Sequence, residues 1–231
     1  MATTPIFHMR GINESLGDGQ FMIDAYDASL PHLASIGSGK QWGSTPFAGR
    51  SDQEEKIKVF RQAEHYQLTG EGPPVQIFIV EAEIPFSATD ELPSSVKVRE
   101  DADGKNLLPV GTMMLSQGLY PHYMATLFNQ DPVKRELDGT QHYIYLEGLI
   151  TDFRAGAWRK GAGAALIECA RQFCREKGKK ILYADAYSGN DRRLVKYYET
   201  QGFYVIDDFE AIKPDGSIWP GVFLRLDVPA S

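Results

Sequence analysis

Apolar residues recur along the chain with two periods. Period two over residues 75–84, 107–117 and 143–150 predicts strands, rich in Ile, Val, Tyr and Phe. Residues 6–12 and 21–26 read as shorter strands, and 181–186 as a short buried one. A three-to-four spacing marks helices over 28–36, over 52–68, and from Gly161 to a stop at Gly178. A further helix has Leu194, Val195 and Tyr198 on its apolar side and Asn190 or Asp191 as cap. Ser51 with Glu54 three residues on forms a capping-box pattern before the 52–68 helix. Pro214-Asp215-Gly216 separates two apolar runs, 203–212 and 218–228, so the chain is expected to end in a hairpin. Residues 86–106 are polar and read as a long hairpin loop, and 118–140 as an insertion carrying Tyr120, His122, Tyr123, Met124 and Phe128. That insertion is either an extra helix packed on a sheet or a lid over substrate.

Composition changes this picture little. The chain has 231 residues, 42% hydrophobic and 24% charged, enough for one domain with a real core. The expectation is a single domain over 1–231. Lys and Arg number 24 against 31 Asp and Glu, a net charge of −7. That balance disfavours nucleic acid or an anionic membrane as partner and suits a cationic substrate. No signal peptide or membrane span is evident, so a cytoplasmic protein is expected. Cys169 and Cys174 lie five apart on one helix and point in different directions, which disfavours a disulfide, and no metal site is expected.

The order over 143–204 is strand, glycine-rich turn, helix, strand, helix. Gly161-Ala162-Gly163 opens the first of these helices beside Arg159 and Lys160. Glycines allow close backbone approach, and a helix N-terminus offers free N–H donors and a positive dipole end, which suits a phosphate. Two commoner phosphate motifs fail. Gly156 to Gly161 has Walker spacing, but Ala162 and Gly163 follow instead of Lys and Ser or Thr, and Leu166 stands where a dinucleotide fingerprint needs glycine.

Three segments in this order resemble the GNAT superfamily of acyl-CoA-dependent N-acyltransferases. Gly161-Ala162-Gly163 is similar to the end of that family's pyrophosphate loop. The run from Leu182 to Asn190 resembles the strand leading to the Asn that opens its next helix. Tyr197-Tyr198-Glu199-Thr200-Gln201-Gly202-Phe203 resembles its Tyr-Tyr-Glu-x-x-Gly-Phe signature. Trp158 stands where the loop carries Arg or Gln, so Arg159 or Lys160 would supply the cation. The resemblance implies an α/β (α+β) fold, a central mixed but mostly antiparallel sheet of about seven strands with flanking helices. It implies acetyl-CoA as acyl donor and a small-molecule amine as acceptor; a homodimer stays open. The runner-up readings are a protein or peptide amine acetyltransferase and a non-catalytic acyl-CoA sensor.

Residue by residue, the resemblance implies that the backbone of Leu149 or Ile150, with Thr151, pairs with the donor's pantetheine arm. Trp158, Arg159, Lys160, Gly161, Ala162, Gly163 and Ala164 would surround its pyrophosphate, and Asn190, Tyr197 and Tyr198 would line the arm. Gln41, Trp42, Tyr145 and Glu147 are the candidate acceptor contacts. Acyl transfer needs a neutral amine and a protonated leaving thiolate. Glu147, on a strand of Tyr, Ile and Leu, is expected to be desolvated into a usable base, with Asp185 as reserve or amine-binding charge. Tyr198 is the candidate acid. Neither cysteine lies where a nucleophile would be needed, so direct transfer is expected.

Overall fold

The computed structural model describes residues 5–121, 133, 136, 142–213 and 216–229. Eight strands and four α-helices lie among them, so the class is α/β as expected. The strands are β1 (Phe7–Gly11), β2 (Val75–Ile84), β3 (Arg99–Glu100), β4 (Asn106–Gln117), β5 (Tyr143–Thr151), β6 (Ile181–Tyr187), β7 (Tyr204–Ile212) and β8 (Ile218–Asp227). The helices are α1 (Asp18–Ser35), α2 (Gln53–Thr69), α3 (Ala162–Glu176) and α4 (Gly189–Thr200). No helix among the described residues is long and apolar enough to cross a membrane. Contacts divide the chain into two units: residues 1–32, 45–114 and 148–169, and residues 33–44, 115–147 and 170–231.

In the first unit the strand order is β1-β2-β4, with β3 paired to β4. β1 and β2 run antiparallel from Phe7↔Ala82 to Gly11↔Phe78. β3 is the strand beyond the expected seven. It forms because the Asp101 carboxylate accepts from Asp103 N and Lys105 N, and Gly104 takes φ 78°, closing a tight turn inside the expected loop.

Residues 21–26, expected as a strand, belong instead to α1. The spacing explains the error. Asp18, Met22, Ala25 and Ser29 are buried at helical intervals, while Phe21 and Tyr26 supplied the strand-like local composition. The Ser51 capping box is also absent. Asp52 holds the cap position of α2 with no side-chain cap bond, and its carboxylate pairs with Lys56 one turn on.

The first unit buries a charge network under α1. Glu81, 1% exposed, accepts from Arg10 Nε at 2.9 Å and from Arg99 Nε at 2.8 Å. Asp18 accepts from Arg10 Nη2 at 2.8 Å and from Asn13 N at 2.7 Å. Burial alone would raise the Glu81 pKa, but the hydrogen bonds from Arg99 and Arg10 outweigh it and hold it below the usual range.

In the second unit the order is β5-β6-β8-β7, with β6/β8 and β7/β8 antiparallel and β5/β6 parallel. One sheet face carries an aromatic cluster of Tyr143, Tyr145, Tyr183, Phe209 and Phe223. Val133, fully buried, packs on it, and Glu136 accepts from the Tyr183 hydroxyl at 2.8 Å and from Arg225 Nη1. The rest of the 118–140 insertion past Pro121 lies outside the described residues.

The Glu81 network gives a test. Glu81→Gln leaves Arg99 and one arm of Arg10 without an anion, and should destabilise the fold by about 3 kcal/mol at neutral pH. The native pKa of Glu81 is depressed, so its contribution is full above the ordinary carboxylate value and is lost as pH falls from there through the depressed native value. The gap between wild type and variant, measured by urea unfolding, should narrow below about pH 4.

Candidate active site

The stretch that the sequence singled out begins with β5. Its parallel pairing with β6 runs Tyr143↔Ile181 to Leu146↔Ala184 and stops there. Beyond it, Asp185, Ala186 and Tyr187 pair only with β8 in the described registers. Glu147 is therefore the first residue of β5 past the parallel ladder. Ser116 on β4, itself 1% exposed, donates its hydroxyl to Glu147 Oε1. Desolvation pushes the Glu147 pKa up and the nearby Asp185 charge adds to it, while the Ser116 hydrogen bond pulls it down without winning. A carboxylate raised in this way is a stronger proton acceptor than an ordinary one, the property a general base needs.

Asp185 is held by the Tyr145 hydroxyl, which donates to Oδ1 at 2.7 Å. Tyr145 is 1% exposed. Its hydroxyl is thus committed to orienting Asp185, a role the sequence did not indicate for it.

Gly148, next along β5, takes φ 66°. A Cβ there would lie 2.5 Å from the hydroxyl oxygen of Tyr26, so the position needs glycine on two counts. Tyr26 in turn packs on Phe47, ring centroids 4.8 Å apart, and Arg50 stacks over Phe47 at 3.6 Å.

The strand after this kink has a defined polarity. Asp152 N donates to Val110 O at 2.8 Å, and the Ile150 carbonyl faces Gly111, where a Cβ would meet it at 2.8 Å. Both face β4. Alternation along the strand then turns the N–H groups of Leu149 and Thr151 the other way. Of Leu149 and Ile150, the two donors expected for the pantetheine arm, this geometry singles out Leu149 as the one aimed away from β4.

The glycine-rich turn is built on Asp152, which is fully buried. Asp152 accepts from Arg154 N at 2.9 Å and is forked by the Arg154 guanidinium, which also reaches Asp24 at 2.8 Å. A 3-10 turn over Phe153–Arg159 follows, broken by Gly156 at φ 54° and ψ −122°. Gly161 takes φ 91°, and a Cβ on it would stand 3.3 Å from the Phe7 ring. The first helical bond recorded at the turn is Ala165 N to Gly161 O, at 3.0 Å. The N–H groups of Ala162, Gly163 and Ala164 precede it and have no partner within the helix. Arg159 Cζ stands over the Phe153 ring, 3.7 Å from its centroid, and Nη1 donates to Thr151 Oγ1 at 3.1 Å; burial lowers its pKa from a very high starting value. Trp158 is half-buried and Lys160 exposed, in the same turn. Free helix-end donors, a glycine backbone, the anchored Arg159 and the exposed Lys160 form a site suited to a pyrophosphate.

Tyr198 sits on α4 and is 5% exposed. Its place is fixed by how the helix ends. Phe203 N bonds Tyr198 O at 3.1 Å, Gly202 N bonds Glu199 O at 2.9 Å, and Gly202 takes φ 87°. This is a Schellman cap, and the Phe203 ring packs edge-on to Tyr198 at 5.2 Å as its apolar clasp. The Tyr-x-x-x-Gly-Phe spacing is therefore the spacing of the cap. Tyr197 lies half-buried beside it, and desolvation raises its pKa.

At the other end of α4, Asn190, Asp191 and Arg192 all have positive φ, 54°, 53° and 57°. Three non-glycine residues in the left-handed region are a strained entry to a helix. Asn190 Nδ2 donates to Ser38 Oγ at 2.8 Å, tying α4 to the 37–43 loop. Gln41 in that loop accepts through its carbonyl from Trp219 Nε1 at 3.1 Å, and Trp42 beside it is half-buried. Gln41, Trp42, Asn190, Glu147, Asp185 and Tyr198 thus all belong to the second unit, and Leu149 to Ala164 to the first. Ser116 and Tyr26 are the two residues that sequence reasoning missed. Cys174 is fully buried and its thiol is pushed up to about 12 by desolvation, so it is no thiolate nucleophile.

A family model for the acetyltransferase (GNAT) family matches residues 76–203. No curated protein matches the sequence. Several solved structures share the fold. The chain is 14% identical to yncA of Salmonella typhimurium, solved with acetyl-CoA, with TM-score 0.54 over 97% of this chain and 95% of the other. It is 16% identical to a spermidine N-acetyltransferase of Vibrio cholerae in complex with CoA and spermine, with TM-score 0.54 over 96% and 95%. It is 15% identical to a ribosomal-protein-alanine N-acetyltransferase of Brucella melitensis, with TM-score 0.53 over 95% and 99%.

The glycine turn predicts one outcome directly. Gly163→Val fills the space where backbone would meet a phosphate, and should abolish CoA binding in calorimetry while Trp158→Ala changes it little. A folded Gly163→Val protein with wild-type affinity would remove the turn from the site.

Proposed function

The chain belongs to the acetyltransferase (GNAT) family, and on that premise we propose that it moves the acetyl group of acetyl-CoA directly onto a primary amine of a small molecule. The reading takes residues 1–231 as one catalytic domain. What supports it above all is Glu147, a carboxylate with a raised pKa at the point where β5 leaves the parallel ladder.

In this reading the N–H groups of Ala162, Gly163 and Ala164, with Arg159 and Lys160, hold the pyrophosphate. Leu149 N–H meets the thioester carbonyl and stabilises the negative charge that develops on its oxygen. Glu147 accepts the ammonium proton, directly or through one water, which frees the nitrogen lone pair, and passes it to solvent; it then takes the second proton from the nitrogen as the new bond forms. The nitrogen attacks the carbonyl carbon and the carbon–sulfur bond breaks. Tyr198 gives its phenolic proton to the departing sulfur, and solvent returns the proton from Glu147 to the Tyr198 phenolate. Ser116 orients Glu147, and Tyr145 orients Asp185, whose charge draws a cationic acceptor. The strongly raised Cys174 pKa supports transfer without a covalent enzyme intermediate. The net charge of −7 is compatible with the same class of acceptor.

Two variants test the acid and the base. Tyr198→Phe keeps the ring on Phe203 and removes one hydroxyl; turnover should fall by about 10²–10⁴-fold with CoA affinity little changed. An unchanged rate would remove Tyr198 from the mechanism.

Glu147 must be deprotonated to act, so kcat/KM should fall as pH drops through its raised pKa. In Glu147→Gln that acidic limb should vanish, and the residual rate should rise with pH as free amine takes over. Asp185→Asn should raise KM for a cationic amine and keep the limb. If Asp185→Asn loses the limb and Glu147→Gln keeps it, the two roles are exchanged.

A further inference from the structure

We infer that the first unit holds a second ligand site, separate from the acyl-transfer residues, for a small metabolite bearing carboxylate or phosphate groups. The site is a cavity of about 330 Å³ lined by the start of α1, the Val96–Arg99 segment, Glu81, Pro109 and Arg154. That volume lies in the range of small-molecule sites. Such a site would exist whether or not the proposed reaction is the right one.

The chemistry follows from counting donors and acceptors. The carboxylates that line the cavity are already engaged. Glu81 accepts from both Arg10 and Arg99, on each of its oxygens in the case of Arg99. Asp18 accepts from Arg10 through both oxygens and from Asn13 N. Asp24 accepts from Gln20 and from Arg154. A cation entering the cavity would have to displace an arginine from one of them.

The donors are not exhausted. A guanidinium carries N–H groups on three nitrogens. Arg99 gives Nε and Nη2 to Glu81, and its Nη1 makes no hydrogen bond among the described residues. Its side chain is 32% exposed. Arg154 spends Nε and Nη2 on Asp152 and only one bond of Nη1 on Asp24. Lys97 lies at the rim, its Nζ 3.9 Å from where a Cβ would stand on Gly17. The lining has three arginines and a lysine against three carboxylates, but Arg154 also serves the buried Asp152 behind it, so the surplus lies in Arg99 Nη1 and the Lys97 ammonium. Leu16, Phe21, Val96 and Pro109 supply apolar wall, which suits a ligand with a carbon skeleton between its charged groups.

A network serving only to hold α1 on the strands would need no such surplus, and would bind nothing. Calorimetric titration of the full chain with citrate, with succinate and with inorganic phosphate separates the cases. At least one should bind, and the pattern among the three distinguishes carboxylate from phosphate recognition. Arg99→Ala should weaken that binding by about tenfold or more, as loss of charge-assisted hydrogen bonds does. Lys97→Ala, at an exposed position that carries no part of the buried network, should weaken it too and keeps the test open if Arg99→Ala does not fold. Gly163→Val should leave it intact. No binding of any of the three anions to wild type would overturn the proposal. So would binding that is lost in Gly163→Val and kept in Arg99→Ala and Lys97→Ala, since the anion would then sit in the glycine turn.

Discussion

The structure around the proposed chemistry depends on one constraint, the passage of β5 through Gly148. The parallel ladder with β6 ends at Leu146, and two residues later the backbone takes a positive φ with the Tyr26 hydroxyl against its α-carbon. A side chain there would strain the backbone and push the Tyr26 hydroxyl aside. The parallel pairing with β6 lies on one side of this point only, while β4 neighbours the strand on both sides. Before it, Glu147 is drawn in beside Ser116 and loses water. After it, Ile150 and Asp152 turn their polar groups to β4, which leaves Leu149 N–H facing the other way. The residues proposed as base and oxyanion donor, Glu147 and Leu149, thus lie on either side of a single glycine in the sequence of β5.

The other two features that the proposal uses are helix ends. At α3 the useful groups are the unpaired N–H donors of the first turn, which cost the fold nothing if a phosphate takes them. At α4 the useful group is Tyr198, held by a Schellman cap whose glycine and phenylalanine are the same residues that make the sequence signature. The Asn190–Arg192 entry is the costly one. The first of its three left-handed residues, Asn190, bonds Ser38 and so couples α4 to the loop bearing Gln41 and Trp42.

What the sequence could reveal was local. Val75–Ile84 alternates and is β2; Gly161, Gly178 and Gly202 punctuate α3 and α4 because a positive φ after a helix, or before one, favours glycine. Glu147 could be picked out because a lone carboxylate on an apolar strand has few inexpensive places to go. What the sequence could not reveal was non-local. Residues 21–26 have strand-like composition, yet their burial at helical spacing comes from contacts made across the first unit. Ser116 lies 31 residues from Glu147, and no local pattern marks it as a partner. Tyr26 meets Gly148 only in the fold, and the hydroxyl of Tyr145 is claimed by Asp185, 40 residues away. The donor surplus around Arg99 likewise exists only once Glu81 and Asp18 have been assigned their partners.

Central to the proposed chemistry is Glu147 as a desolvated carboxylate with a raised pKa. The most direct measurement is a carbon-13 NMR titration of protein labelled at glutamate side-chain carboxyls, with the Glu147 signal assigned by its loss in Glu147→Gln. The expected midpoint for Glu147 lies clearly above the ordinary glutamate value of about 4.3, moving lower when Asp185 is replaced by Asn. A midpoint at or below that ordinary value would contradict the assignment, since a fully ionised, well-solvated Glu147 would have lost the property that marks it as the base.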